Sequence, residues 1–327
     1  MQQKELALFW LFWAMQLNTA TPPGGGYLSS GWQVIYECLG AFHMPLFFFI
    51  SAFLQRRKEQ RQPHCYEKKQ LLLRISGLLI PYVIFSFVFW LSKLVMSASV
   101  NNVVTIKDLL LIIVYPLSTL WFLYALIVFT LLRVLVYRTK SSSIKVLGVC
   151  VFASILFSHI QMPDILAPTV ISRVIKNSPF FAAGILAAEN ERLETVLNHK
   201  KYGLCIAPLV FCILKFLNAY LGINYSSVNM ILGFMGIWFV LCVSDSISFK
   251  LINKLGKDSL GIYLMHDYVI CVVVIILRKF ITEFDPVVIL ALILGTAIPY
   301  FIYQICISNK YLMLIFKPQI LIAKKME

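Results

Sequence analysis

The chain has 327 residues, of which 60% are hydrophobic and 13% charged, with a mean hydropathy of +0.81. Soluble domains carry about a quarter charged residues, so this composition excludes an ordinary soluble enzyme and assigns the chain to the membrane. The formal charge of +14 invites a nucleic-acid partner, but the 29 Lys and Arg fall in clusters between apolar runs, as membrane loops do, and nucleic acid is set aside.

Ten apolar runs of helical length follow one another: Glu5–Ala20, Gln33–Leu54, Leu71–Met96, Ser118–Tyr137, Ile144–Ile160, Ser172–Ala188, Tyr202–Leu221, Met230–Val243, Ser259–Leu277 and Val287–Ser308. The first, sixth and eighth are short or weak. No cleavable leader precedes the first run, so Lys4 to Thr21 is expected to stay as a membrane segment. The second run holds one ionisable side chain, His43, roughly ten residues or about 15 Å from its uncharged end. Lipid cannot solvate an imidazole at that depth, and such a residue is by default a functional site. Tyr36, Gly40, His43 and Phe47 share a helical face, and Gly40 would let a helix or ligand come close.

The connection after this run is strongly basic, from Arg56 to Arg74, and basic connections recur at every second loop up to Lys325. The loops between are poor in Lys and Arg, so the count of crossings is even and both termini are expected in the cytoplasm. On the far side, Ser97–Leu117 is the longest loop, and its stretch from Ile106 to Ile113 has the pattern of a surface helix. The expected fold is therefore an all-α polytopic membrane protein, a bundle of about ten transmembrane helices spanning residues 5–308, with a basic cytoplasmic tail over 309–327. The eight cysteines are scattered without a CxxC pair, so neither a metal site nor a disulfide framework is expected. No internal repeat marks two related halves.

Three segments resemble the acyltransferase 3 family of integral membrane acyltransferases, and within it the branch similar to fucose 4-O-acetyltransferases. They are Phe42-His43-Met44-Pro45-Leu46-Phe47-Phe48-Phe49-Ile50-Ser51-Ala52-Phe53, then Arg74 with Leu79-Ile80-Pro81-Tyr82, and Leu255-Gly256-Lys257-Asp258-Ser259-Leu260-Gly261-Ile262-Tyr263-Leu264-Met265-His266. Trp121-Phe122-Leu123-Tyr124 also fits the family's fourth span. The resemblance implies transfer of an acyl group, usually acetyl, from cytoplasmic acyl-CoA to a hydroxyl of a cell-surface glycan or its lipid-linked precursor. It implies a multi-pass protein of the inner (plasma) membrane, with acyl-CoA as donor substrate and no bound cofactor. A transporter or flippase of glycan or acyl intermediates is the alternative.

Two departures stand out. Met15-Gln16 occupy the place of a histidine in the family's first span, and Arg74 is followed three residues later by Gly77 where the pattern has a second arginine. Either His43 takes the base role, or the start of the chain is truncated, or this is a weak member. An amide cannot accept a proton at neutral pH as an imidazole can.

Acyl transfer needs a base for the hydroxyl proton and donors for the oxyanion. His43 is the candidate base, against a packing role between helices. Arg74 is placed toward the donor phosphates, against snorkelling to headgroups. Ser259, Tyr263 and His266 share one face and are also set toward the donor, against structural hydrogen bonding. Trp121, Tyr124, Glu37 and Gln16 are set toward the acceptor, aromatic faces being suited to sugar rings as well as to the interface belt. The prolines Pro45, Pro81, Pro179, Pro208 and Pro299 are expected to kink helices or to pack.

Overall fold

The computed structural model describes residues 30–62, 67–95, 105–113, 115–116, 118–139, 141–160, 170–221, 226–246 and 250–325. The run Glu5–Ala20, with Gln16, lies outside them. Within them the chain is helical, as a bilayer requires of a segment whose backbone must satisfy its own hydrogen bonds. Nine long helices match the remaining expected runs: α1 (Ser30–Arg61), α2 (Lys68–Val95), α4 (Trp121–Arg138), α5 (Ser143–His159), α6 (Val170–Glu189), α8 (Lys200–Leu221), α9 (Ser226–Ser246), α11 (Ser259–Leu277) and α12 (Phe284–Ser308). Shorter helices are α3 (Ile106–Leu110), α7 (Glu191–Leu197), α10 (Lys250–Lys257), α13 (Met313–Phe316) and α14 (Gln319–Lys325).

Seven of the nine are long and apolar enough to cross a membrane by themselves. The other two have distinct reasons for falling short. Helix α5 is an apolar helix of only 17 residues. Helix α6 carries Arg173, Lys176 and Asn177, yet most of its length is buried against α1, α4 and α5. A helix enclosed by protein can hold polar side chains that lipid would exclude.

The core is aromatic and centred on α1. Phe47 and Phe48 pack on Phe122 of α4 at 3.9 and 4.9 Å between ring centroids, and Phe129 stacks on Phe181 of α6 at 4.5 Å. Helix α1 meets α6 most closely at Gly184, where a Cβ would run into the Phe49 carbonyl. Around Gly40 nothing among the described residues lies within 4 Å of a Cβ, so none of the described helices makes a close approach there. The five prolines sit inside helices, and Pro45, Pro81, Pro179 and Pro299 are buried, so their place is in packing.

At the neutral end, the surface helix expected from Ile106 is one turn of α followed by a 3-10 turn over Leu111–Ile113. The Thr105 amide and hydroxyl donate to Asp108 at 2.6 and 2.8 Å and hold its carboxyl below the ordinary carboxylate range. Trp90 and Tyr82 of α2 donate to the carbonyls of Thr105 and Ile112 and pin this segment down. At the opposite end, the expected tail is structured. Phe316 is 4% exposed, between Phe85 of α2 (5.5 Å) and Tyr303 of α12 (5.1 Å), and α14 runs back along α2.

Candidate active site

The basic ends of α1, α2, α4 and α6 converge, as the alternation of loop charge requires. Their meeting point is Glu59, 5% exposed, which has Arg133 Nη2 at 3.3 Å, Arg56 Nη1 at 3.5 Å and Arg74 Nη1 at 3.7 Å. Glu189 closes the network with Arg56 at 2.6 Å and Arg133 at 3.7 Å, and Arg57 pairs with Glu194 of α7. A cluster of guanidiniums would repel itself without these carboxylates. Arg74 is therefore neither free nor snorkelled to lipid. Glu59 anchors its guanidinium beside a cavity of about 650 Å³, which is lined by Ser51, Leu54, Gln55 and Lys58 of α1, by Gln70, Arg74 and Gly77 of α2, and by Gln319 of α14.

His43 lies deeper on α1, half-buried, with Nδ1 3.2 Å from the Leu39 carbonyl. A carbonyl only accepts, so Nδ1 carries the hydrogen and Nε2 of the neutral ring is left with its lone pair outward. Leu54 follows His43 by three turns, about 16 Å, and within about 20° of the same direction. Leu54 thus lies in line with the imidazole, while Lys58, Ser51 and Gln55 of the cavity wall are turned about 60°, 80° and 120° from it. Between the imidazole and Leu54 stands Phe47, 6% exposed, with its ring 6.2 Å from that of Tyr263.

Tyr263, His266 and Asp267 of α11 form a second polar group facing the entry of α4. The Tyr263 hydroxyl donates to the Thr119 carbonyl, and the Thr119 hydroxyl donates to Asp267 Oδ2 at 2.5 Å. His266 is fully buried, with Nδ1–H donating to the Tyr263 carbonyl at 2.6 Å and Nε2 3.2 Å from Asp267 Oδ1. Helices α1 and α11 run in opposite directions, and both histidines lie about one turn beyond the Phe47–Tyr263 contact toward the neutral end. They occupy one layer of the bundle.

Not every expected site residue gathers here. Of α11, Leu260 lines the basic cavity, whereas Ser259, Tyr263 and His266 are not among its lining residues. Trp121 stands near the histidine layer, 5.9 Å from Phe48, with the Arg173 guanidinium 4.8 Å over its ring. Tyr124 packs on Tyr82 at 5.8 Å. Glu37 is exposed and turned toward Gln33 and Lys215 of α8, at 3.0 and 3.9 Å, away from both sites. A second cavity of about 600 Å³ near the neutral end, with Ser172, Lys176 and Asn177 in its wall, meets α1 at Ala41 and Pro45. Those positions face roughly opposite to His43.

The sequence reading missed Glu59, Arg133, Glu189 and Arg173 as partners. The first three sit among loop charges that look solvated in one dimension; a carboxylate amid so many cations was the one available signal. Neither a curated protein nor a solved structure matches the chain. The profile of the family described as Acyltransferase domain matches residues 6–304, and the chain, with its apolar helices, belongs to that family of membrane acyltransferases.

Proposed function

We propose that this protein moves an acetyl group from cytoplasmic acetyl-CoA to a hydroxyl of a cell-surface glycan or its lipid-linked precursor, in the plasma membrane. The observation that carries the reading is a mid-span imidazole on α1 in line with Leu54, one wall residue of a cavity bearing Lys58 and Arg74. Cations at that mouth suit the phosphates of CoA, and the thioester would extend from it toward the histidine layer.

In the reaction, Nε2 of His43 takes the proton from the acceptor hydroxyl as its oxygen attacks the thioester carbonyl. The new C–O bond forms, the C–S bond breaks, and the imidazolium returns the proton to the departing thiolate, leaving an ester and CoA–SH. The Tyr263–His266–Asp267 group, its donors already engaged with the Thr119 and Tyr263 carbonyls, fixes α11 against the entry of α4 and so shapes one wall of the histidine layer. Phe47 and its aromatic neighbours keep water from the thioester until an acceptor arrives. The Trp121 face, backed by Arg173, is suited to a sugar ring.

The test uses purified full-length protein with acetyl-CoA and a glycan extract as acceptor source. Free CoA released only when acceptor is present is the expected result. No release above the protein-free control, at any acceptor concentration, would favour the transporter reading instead.

A further inference from the structure

The basic cavity has one wall that the family match does not supply. Gln319, Ile320 and Ala323 of α14 line it, beyond residue 304 where the match ends. The placement of α14 is fixed by its neighbours: Phe316 is buried between Phe85 and Tyr303, Lys317 lies over the Tyr303 ring at 5.9 Å, and Pro318 is buried at the turn. The carboxamide of Gln319 is held against Gly77, so closely that a Cβ there would stand 3.0 Å from its Oε1. Gly77 is the position where the resembled pattern carries a second arginine, and here an amide from the end of the chain fills that space.

This amide has unused capacity. Gln319 Oε1 is buried and takes no hydrogen bond from any of the described residues. As it stands the oxygen has no surface open to the cavity, and a donor entering there reaches it by turning the carboxamide away from Gly77, a turn that the unsatisfied oxygen favours. The rest of the lining specifies what that is. Lys58 and Arg74 call for an anion, while Gln55, Gln62 and Gln70 offer further carboxamides. A ligand with phosphates at one end and secondary amides along an extended arm fits both demands, and the pantetheine arm of CoA has two such amides.

On the acyl-CoA reading above, we infer that α14 is a wall of the donor site and that Gln319 hydrogen-bonds an amide of the pantetheine arm, setting how far the thioester reaches toward His43. Gln319 is a positioning residue; it touches the arm and not the reacting carbonyl.

The experiment compares full-length wild type with Gln319→Leu for binding of CoA and of adenosine 3′,5′-bisphosphate, which lacks the arm, by calorimetry in detergent. Loss of one hydrogen bond to a buried group predicts about a five- to tenfold weaker Kd for CoA in the variant. Unchanged binding of the bisphosphate is expected alongside it and shows that the variant is folded. In turnover, KM for acetyl-CoA should rise and kcat should fall, because the thioester is no longer held at its reach toward His43. Equal CoA affinity in the two proteins would overturn the proposal, as would equal loss of both ligands, which makes α14 a general support. A wild type that binds neither ligand is a separate outcome, one that overturns the donor reading itself and this proposal with it.

Discussion

Glu59 carries an unusual electrostatic burden for one side chain. Its carboxylate is within 4 Å of guanidiniums from Arg56, Arg74 and Arg133, and Arg133 is itself buried. Glu59→Gln would leave Arg56 and Arg133 with Glu189 and Arg74 with no carboxylate among the described residues, and removing one member of a buried ionic cluster destabilises by on the order of 3 kcal/mol. A lower thermal midpoint in detergent is expected, together with weaker CoA binding as Arg74 loses its anchor. A variant melting with the wild type would show that the cluster is solvated and contributes little. His43 and Arg74 were legible in the sequence because each interrupts an apolar run, where an ionisable group needs a reason. Asp267 was legible only in part, since neighbours on a helix diverge by about 100°, and its bond to Thr119 joins segments far apart in the chain.

At the scale of elements, most helix ends were readable to within about four residues because hydrophobic length is dictated by the bilayer itself, though α1 runs on to Arg61, well past Leu54. Runs such as Ser259–Leu277 and Ile144–Ile160 agree with α11 and α5 to within a residue or so. What the runs did not reveal was which helices touch. The glycine singled out, Gly40, meets no other described helix, while a close approach falls at Gly184 within a stretch that reads as ordinary apolar sequence. There α1 and α6 meet with backbone against backbone, so Gly184→Val should push them apart. Overpacking of that kind costs about 1–3 kcal/mol, and more where the neighbour is main chain that cannot swing aside. The expected outcome is a reduced melting temperature and poor yield; unaltered melting would mean that the helices slide to accommodate it. The fold of α13 and α14 was hidden for a different reason. Its anchor is one phenylalanine in a short basic segment, too brief for periodicity to register, and its burial depends on Phe85 and Tyr303.

Across the whole molecule, charge was the most reliable guide. Loops that alternation assigns to one side do meet there, in the ion network of Glu59 and Glu189 and in the hydrogen bond from Gln304 to Asp258 at 2.7 Å. The result is a bundle with a cationic cavity at one end, a layer holding His43 and His266 farther in, and Phe47 between them. Its central claim is that His43, reached from that cavity, removes the acceptor's proton. The direct measurement is incorporation of radiolabelled acetyl into surface glycan by cells making either wild type or His43→Ala at matched protein level. Loss of a general base predicts a fall of about a hundredfold or more in initial rate. Incorporation by the alanine variant at the wild-type rate would contradict the account.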